Sequence, residues 1–214
     1  MLAQPLHGCG VQCPTLALSP MTSSESDVAL MARVRDGDTD AFRELIERHQ
    51  RAVINTIQRA IGDAWEAEDL AQRVFLQVYR SAKRYQPTAK FTTWLFTITR
   101  NTILNEHRRR ARHAAVSLDA LQSPREAADG SGWQAPDTTT PNPAQEVAER
   151  ELQEKIMETV QQLPEAQRTA VILCRYEGLS YEEIAQVLGC SVSATKSLLH
   201  RARLTLKEKL RGYY

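Results

Sequence analysis

The sequence predicts an all-α protein made of two small helical domains joined by a flexible linker. Apolar residues recur at helical spacing over residues 27–112 and again over residues 144–210. Between them, residues 114–143 contain proline, glycine and small polar residues, a composition that buries too little surface to fold alone. Residues 178–210 add a short helix, a glycine turn and a second helix, so both halves of the chain are helical.

Four helices are predicted in the first domain, at residues 26–113. Residues 27–36 form a short helix that Gly37 ends, and Asp38 caps a longer helix that Gly62 ends. A third helix begins near Glu66 and is ended by Pro87, and its inward side includes Phe75. The buried stripe of the second helix contains Phe42, Leu45, Ile46, His49, Val53, Ile57 and Ile61. Residues 85–90 form a loop, and a fourth helix covers about residues 91–112.

The second domain, residues 144–214, is predicted to contain four more helices. One runs over residues 144–163, and Pro164 begins the next, residues 165–176. Ser180 and Glu183 form a capping box at the start of a short helix, which Gly189 ends before Ser191 caps the last helix. This design is typical of a helix-turn-helix, whose second helix reads base edges in the major groove. An ordinary antiparallel helix pair with a solvated basic face is the alternative.

Charge is unevenly distributed along a chain of 214 residues whose formal net charge is only +1. Residues 100–113 contain five arginines and one acid, Glu106, whereas Glu66, Glu68 and Asp69 make an acidic segment. This asymmetry indicates nucleic-acid contact at the basic face and a different partner at the acidic one. No apolar run approaches the roughly 20 residues that span a bilayer, so membrane insertion is not expected.

Residues 1–25 are predicted to be a disordered leader, because proline, glycine and small residues lack helical periodicity there. Met21 is an alternative start, since a polar segment follows it. His7, Cys9 and Cys13 are metal-ligand types, but no fourth ligand is near, and neither a metal nor another cofactor is predicted. The sequence contains no phosphate-binding glycine loop, zinc-protease motif or nucleophile elbow, so an enzyme is not predicted.

Residues 68–110 and 163–210 resemble regions 2 and 4 of bacterial sigma factors. Regions 1 and 3 are absent and the linker is short, so the sequence is identified as a member of the extracytoplasmic-function group of the sigma-70 family. The resemblance covers roughly residues 26–112 and 144–210, with two independent motifs in the expected order. It implies a cytoplasmic factor that binds core RNA polymerase, through its clamp coiled coil and flap, and directs initiation at promoter DNA. It also implies an anti-sigma partner.

The third helix is implied to bind the polymerase clamp. Asp69, Gln72 and Phe75 match the family pattern DLxQxxF, and Arg73 stands where glutamate is common. This arginine removes one acid from a surface that would meet a basic helix. The alternative is that Asp69 only stabilises the N-terminus of its helix.

The fourth helix and the loop before it are implied to capture the non-template strand of the −10 element as it melts. Four polar residues recur at i, i+4, i+7 and i+11 and therefore share one face: Asn101, Asn105, Arg108 and Arg112. Aromatic platforms and cationic walls for an exposed base are predicted at Lys90, Phe91, Trp94 and Arg100. Packing in the hydrophobic core is the alternative for Phe91 and is favoured for Trp94. The basic run can also be read as a solvated helix end.

The last helix is implied to read the −35 element as duplex. Its polar and basic face consists of Ser193, Lys196, Ser197, His200, Arg201 and Arg203. Leu198 replaces an arginine that many relatives carry, and a missing bidentate contact is worth roughly 1–3 kcal/mol. Two other functions remain open: a stand-alone helix-turn-helix regulator, which would usually bind a palindrome as a dimer, and a polymerase-independent interaction module. Residues 68–110 favour the sigma factor, because a simple repressor does not need them.

Overall fold

The computed structural model describes residues 25–117 and 143–211, and in these ranges the chain is helical without a β-strand. The first group of helices is α1 (Asp27–Arg35), α2 (Thr39–Ile61), α3 (Ala64–Ser81) and α4 (Phe91–Ser117), with a 3₁₀ turn (Ala82–Arg84) after α3. The second group is α5 (Pro143–Gln161), α6 (Glu165–Arg175), α7 (Tyr181–Leu188) and α8 (Val192–Lys209). The all-α class is confirmed. Residues 1–24, which carry His7, Cys9 and Cys13, and residues 118–142 of the predicted linker lie outside the described residues.

Local capping fixes where most helices begin and end. The Asp38 carboxylate accepts hydrogen bonds from the amides of Asp40 and Ala41 at the start of α2. Both hydrogen bonds of the Ser180–Glu183 capping box are present at the start of α7. Gly62 and Gly189 end α2 and α7 with φ values of 87° and 66°, in the left-handed region that glycine adopts without strain. The predicted caps are therefore confirmed.

Two helix ends differ from the sequence prediction by about five residues. The α-helical part of α3 ends at Ser81 rather than at Pro87, because the amide of Ala82 bonds to Tyr79 and tightens the chain into a 3₁₀ turn. Helix α4 continues to Ser117, five residues past the predicted end. Ala114 and Ala115 lie in this extension, and alanine is the residue that best favours a helix.

The first four helices enclose the larger hydrophobic core. Leu45 and Ile57 of α2 pack with Leu70 and Val74 of α3 and with Leu95 of α4, all at 1% exposure or less. Helix α1 is tied to this core by its Asp27 carboxylate. One oxygen accepts from Arg48 at 2.9 Å, and the other lies 2.8 Å from His49 Nε2. The predicted stripe of α2 thus faces inward and holds α1, α3 and α4 together.

The two helix groups also pack against each other. Phe96 of α4 is 4% exposed and belongs to the smaller core formed by Leu173, Ile184 and Leu199, and Ile172 of α6 in turn joins the larger core. Polar contacts cross the same boundary. The Arg168 guanidinium donates to the carbonyl of Ala60 at 2.6 Å, and Thr56 Oγ1 donates to Glu177 Oε1 at 2.8 Å. Helix α4 is therefore held against α7, the first helix of the predicted helix-turn-helix.

Candidate nucleic-acid and protein interfaces

Helix α4 presents the predicted polar face to solvent. Asn101, Asn105, Arg108 and Arg112 are all exposed. The last three, with Ala111, line an open depression of about 530 Å³. The opposite side of α4 is buried through Leu95, Phe96 and Ile103. The amide groups and the two guanidinium groups consequently lie along one accessible surface, with hydrogen-bonding groups toward the start of the helix and positive charge toward its end.

The arginines of α4 are not equivalent. Arg109 donates three hydrogen bonds, at 2.6–3.0 Å, to the buried carboxylate of Glu106. Arg110 pairs with Glu66 of α3. Within the described ranges Arg108 and Arg112 form no ion pair. The basic segment therefore contains both neutralised and available positive charge.

The loop before α4 is closed by an aromatic cluster. Phe91 is 3% exposed and packs 5.2 Å from His49 and 5.9 Å from Trp94, measured between ring centroids. Trp94 is partly buried and lies 4.8 Å from Tyr85. Phe91, which the sequence placed among the base platforms, is part of the hydrophobic core in this conformation because its ring fills the junction of the loop with α2. Packing is also the observed environment of Trp94.

The two predicted cations of this region are paired with the second helix group. Lys90 Nζ lies 2.9 Å from Glu183 Oε1 of α7, and the hydrogen bond from Lys90 lowers the pKa of Glu183. Arg100 Nε lies 3.8 Å from Glu165 Oε1, which is an ion-pair distance longer than a hydrogen bond. Sequence reasoning missed both pairs, since their partners are far away along the chain.

Helix α8 offers a second polar surface. Its six predicted contact residues are all exposed: Ser193, Lys196, Ser197, His200, Arg201 and Arg203. Arg203 also donates to the Tyr181 hydroxyl at 3.4 Å, which links α8 to α7. Leu198 is partly buried against the smaller core, so the position where the family resemblance led us to expect an arginine serves packing here. Thr195, Leu199 and Ala202 hold the opposite side of α8 against the domain.

Helix α3 carries a third exposed surface, along which residues recur at i, i+4, i+7, i+11 and i+14. These residues are Trp65, Asp69, Gln72, Leu76 and Tyr79. Trp65 is 85% exposed and Leu76 47%, which is unusual for large apolar side chains. The Asp69 carboxylate accepts a hydrogen bond from Arg73 at 2.6 Å. Phe75 is 7% exposed and packs in the larger core, so in this conformation it lies beneath the exposed surface and is not part of it.

Two family models match the chain: Sigma-70 region 2 over residues 45–113 and Sigma-70, region 4 over residues 153–206. The RNA polymerase sigma-H factor of Pseudomonas aeruginosa is 36% identical over 190 residues, which cover 89% of this chain and 96% of that protein. The ECF RNA polymerase sigma-E factor of Haemophilus influenzae is 33% identical over 89% of this chain and 98% of that relative. The chain belongs to the extracytoplasmic-function (ECF) group of RNA polymerase sigma factors.

Two solved structures resemble this sigma factor in fold. CnrH in complex with the cytosolic domain of CnrY superimposes with a TM-score of 0.63 at 24% identity, over 88% of this chain and 99% of that chain. The sigma factor RpoE in complex with the anti-sigma factor NepR from Bartonella quintana superimposes with a TM-score of 0.62 at 25% identity, over 79% of this chain and 96% of that chain. The family models and the two relatives described above confirm the family prediction, and these structures agree with it in fold. Within the part of the sigma factor that the structure describes, no helix is long and apolar enough to cross a membrane.

Proposed function

We propose that this sigma factor binds core RNA polymerase through α3 and directs promoter-specific initiation, with α8 reading duplex DNA and α4 capturing the melted strand. The observation that carries the proposal is the presence of three separate exposed surfaces, one on each of these helices, in a chain that belongs to the sigma factors. Sigma factors are initiation factors rather than enzymes, so their surfaces bind and position without catalysing. We place the protein in the cytoplasm, where polymerase and promoter DNA are found.

The exposed stripe of α3 supports polymerase binding. Trp65, Leu76 and Tyr79 are large, solvent-exposed side chains on one side of α3, and exposed apolar surface on this scale is typical of protein interaction sites. Asp69 and Gln72 lie between them and supply polar contacts. The Tyr79 ring packs 5.0 Å from Phe42, which fixes one end of the stripe on α2. A basic and apolar helix of the polymerase would match this mixture of aromatic, aliphatic and acidic groups.

The surface of α4 supports capture of a single strand. Asparagine amides can hydrogen-bond base edges, and arginines can hold phosphates, so Asn101, Asn105, Arg108 and Arg112 suit an unstacked strand better than an uncharged partner. Two hydroxyl groups beside the loop, Tyr85 Oη and Thr93 Oγ1, are buried without a hydrogen-bond partner among the described residues. A base could reach these hydroxyl groups only if the loop rearranges, and it would then supply the hydrogen-bond partner that each lacks.

The surface of α8 supports reading of duplex DNA. Lys196, His200 and Arg201 are exposed on a helix that follows a tight glycine turn and packs on α7, which is the geometry of a recognition helix in the major groove. The Ser191 hydroxyl oxygen caps its start by accepting a hydrogen bond from the amide of Ala194. Because Leu198 packs inward, base reading by this helix rests on its remaining polar residues.

An anti-sigma factor is the expected regulatory partner. The two structural neighbours described above are complexes, one of them explicitly with an anti-sigma factor. We propose that such a partner binds this chain through the same exposed surfaces that polymerase and DNA use, because a competitor inhibits most directly by covering them.

The proposal is tested by affinity capture of core RNA polymerase with the purified full-length chain, followed by transcription from a promoter library. We expect the chain alone to bind duplex promoter DNA weakly and its complex with core enzyme to initiate transcription at a defined set of promoters. Tight, dimeric binding to a palindrome without core enzyme would instead identify a stand-alone helix-turn-helix regulator.

A further inference from the structure

Glu106 is the one acid among the arginines of α4 and is almost fully buried. Its side chain is 2% exposed, although it lies on a helix whose neighbouring residues 108–112 are exposed. Burying a carboxylate is costly unless charged partners surround it. Three arginines provide those partners: Arg109 at 2.6 Å, Arg73 at 3.6 Å and Arg110 at 3.7 Å. Hydrogen bonds from Arg109 hold the pKa of Glu106 below its ordinary value, against the opposing effect of burial.

Helical spacing brings Arg109 and Arg110 to Glu106, although their side chains remain 53% and 42% exposed. Residues 106, 109 and 110 stand at i, i+3 and i+4, whereas Arg108 and Arg112 stand at i and i+4 on a side of α4 where the described residues offer them no carboxylate partner. On α3, Glu66 accepts a hydrogen bond from Arg110 at 3.3 Å, and Asp69 accepts one from Arg73 at 2.6 Å. A continuous ion-pair network therefore joins the two helices and fixes the rotation of α4.

We propose that Glu106 is a positioning residue that divides the arginines of α4 into a structural pair, Arg109 and Arg110, and a DNA-contacting pair, Arg108 and Arg112. The proposal rests on the proposed function of α4. An arginine that is already paired with a carboxylate neutralises little phosphate charge and therefore releases few counterions from the DNA. An arginine without such a partner can pair with a phosphate and release counterions. Glu106 thus sets how many arginines of the basic segment are available to the phosphates of the strand. By fixing the rotation of α4 it also keeps Asn101 and Asn105 facing solvent.

The salt dependence of single-strand affinity distinguishes the proposed effect of Glu106 on the arginine charges from a purely structural role. Each phosphate contact on a single strand contributes about 0.7 to the slope of log affinity against log salt concentration. The measurement uses the complex with core polymerase and a fluorescein-labelled single strand that carries the downstream element of a promoter recovered from the library. Fluorescence anisotropy over a potassium chloride series gives the slope for each variant.

We expect Arg108→Gln and Arg112→Gln each to reduce the slope by about 0.7, while Arg109→Gln leaves it unchanged. Glu106→Gln keeps the shape of the side chain and removes its charge, so it should free Arg109 and steepen the slope. The double variant Glu106→Gln with Arg109→Gln should return the slope to the parental value. Because the three arginine variants keep Glu106, the comparison among them remains valid even if Glu106→Gln does not fold.

Two results would overturn the proposal in distinguishable ways. If Arg109→Gln reduces the slope as much as Arg108→Gln does, then α4 contacts DNA but Glu106 does not sort its charges. If no arginine variant changes the slope, then α4 is not the strand-binding surface, and the proposed function of this helix fails together with the inference.

Discussion

Replacing Trp65 tests the polymerase surface of α3, because this side chain is large, apolar and 85% exposed. A tryptophan offers roughly 200 Å² of side-chain surface, so about 170 Å² is available for a partner to cover. At roughly 25 cal/mol per Å², full coverage contributes about 4 kcal/mol and half coverage about 2 kcal/mol. We therefore expect Trp65→Ala to weaken binding of core polymerase by about 30-fold or more. The assay is a titration of labelled sigma factor with core enzyme.

Matched variants separate binding from folding. Trp65→Ala should leave the thermal midpoint nearly unchanged, since the ring makes little contact with the fold. Phe75→Ala, one α3 residue that is buried, should cost about 3–5 kcal/mol of folding free energy. Asp69→Ala combined with Gln72→Ala should weaken polymerase binding less than Trp65→Ala does, because Asp69 already has Arg73 as a partner. Unchanged polymerase affinity in Trp65→Ala, with the fold intact, would refute the assignment of this surface.

Two further predictions concern contacts between the helix groups. Burial raises the pKa of Glu177, so its contribution to stability is complete below the ordinary glutamate pKa and is lost as pH rises through the raised value. Glu177→Gln should consequently raise stability at neutral pH, by about 1 kcal/mol, and have no effect in acid, as thermal melts at both pH values would show; equal effects at both would contradict the assignment. Glu183→Gln retains a residue that can complete the Ser180 capping box but loses the ion pair with Lys90. Freed Lys90 should strengthen single-strand binding by the isolated sigma factor, up to about fivefold by anisotropy, since exposed pairs are worth at most about 1 kcal/mol. Glu182→Gln removes the same charge from an exposed neighbour, and identical behaviour of the two variants would argue against the pair.

The sequence was sufficient for features that depend on neighbouring residues. Capping at Asp38 and Ser180 and the left-handed glycines at positions 62 and 189 are local chemistry, so the helix boundaries they control could be predicted. The shared face of Asn101 and Asn105 followed from helical periodicity. The contact roles assigned to these and the other site residues stay predictions, because exposure alone does not show what binds.

The environments of other site residues depend on tertiary contacts, which the order of residues along the chain does not reveal. Trp65 and Leu76 lie outside the inward-facing stripe of α3, so the pattern did not single them out as a binding surface, and only the structure shows that both large side chains are exposed. Phe91 was expected beside the strand because it follows the loop, but His49 and Trp94 enclose its ring. The pairing of Lys90 with Glu183 joins residues far apart in sequence. In the sequence Glu106 stands out only as a lone acid in a basic segment, and its burial in the structure is the observation behind the role proposed for it.

The division of labour between α8 and α4 is the central claim, and open-complex formation tests it most directly. Permanganate footprinting would compare duplex and pre-melted promoters for the complex with core polymerase. Lys196→Ala and Arg201→Ala remove contacts worth roughly 1–3 kcal/mol each, so they should lower promoter affinity at the upstream element on both templates.

Asn101→Ala and Asn105→Ala should instead spare closed-complex binding and impair strand opening. A pre-melted template removes the cost of unstacking, a few kcal/mol for an extruded base, and should rescue part of their defect. It should leave the defect of the α8 variants unchanged. Equal rescue of both variant pairs, or rescue of neither, would contradict the assignment of duplex reading to α8 and strand capture to α4.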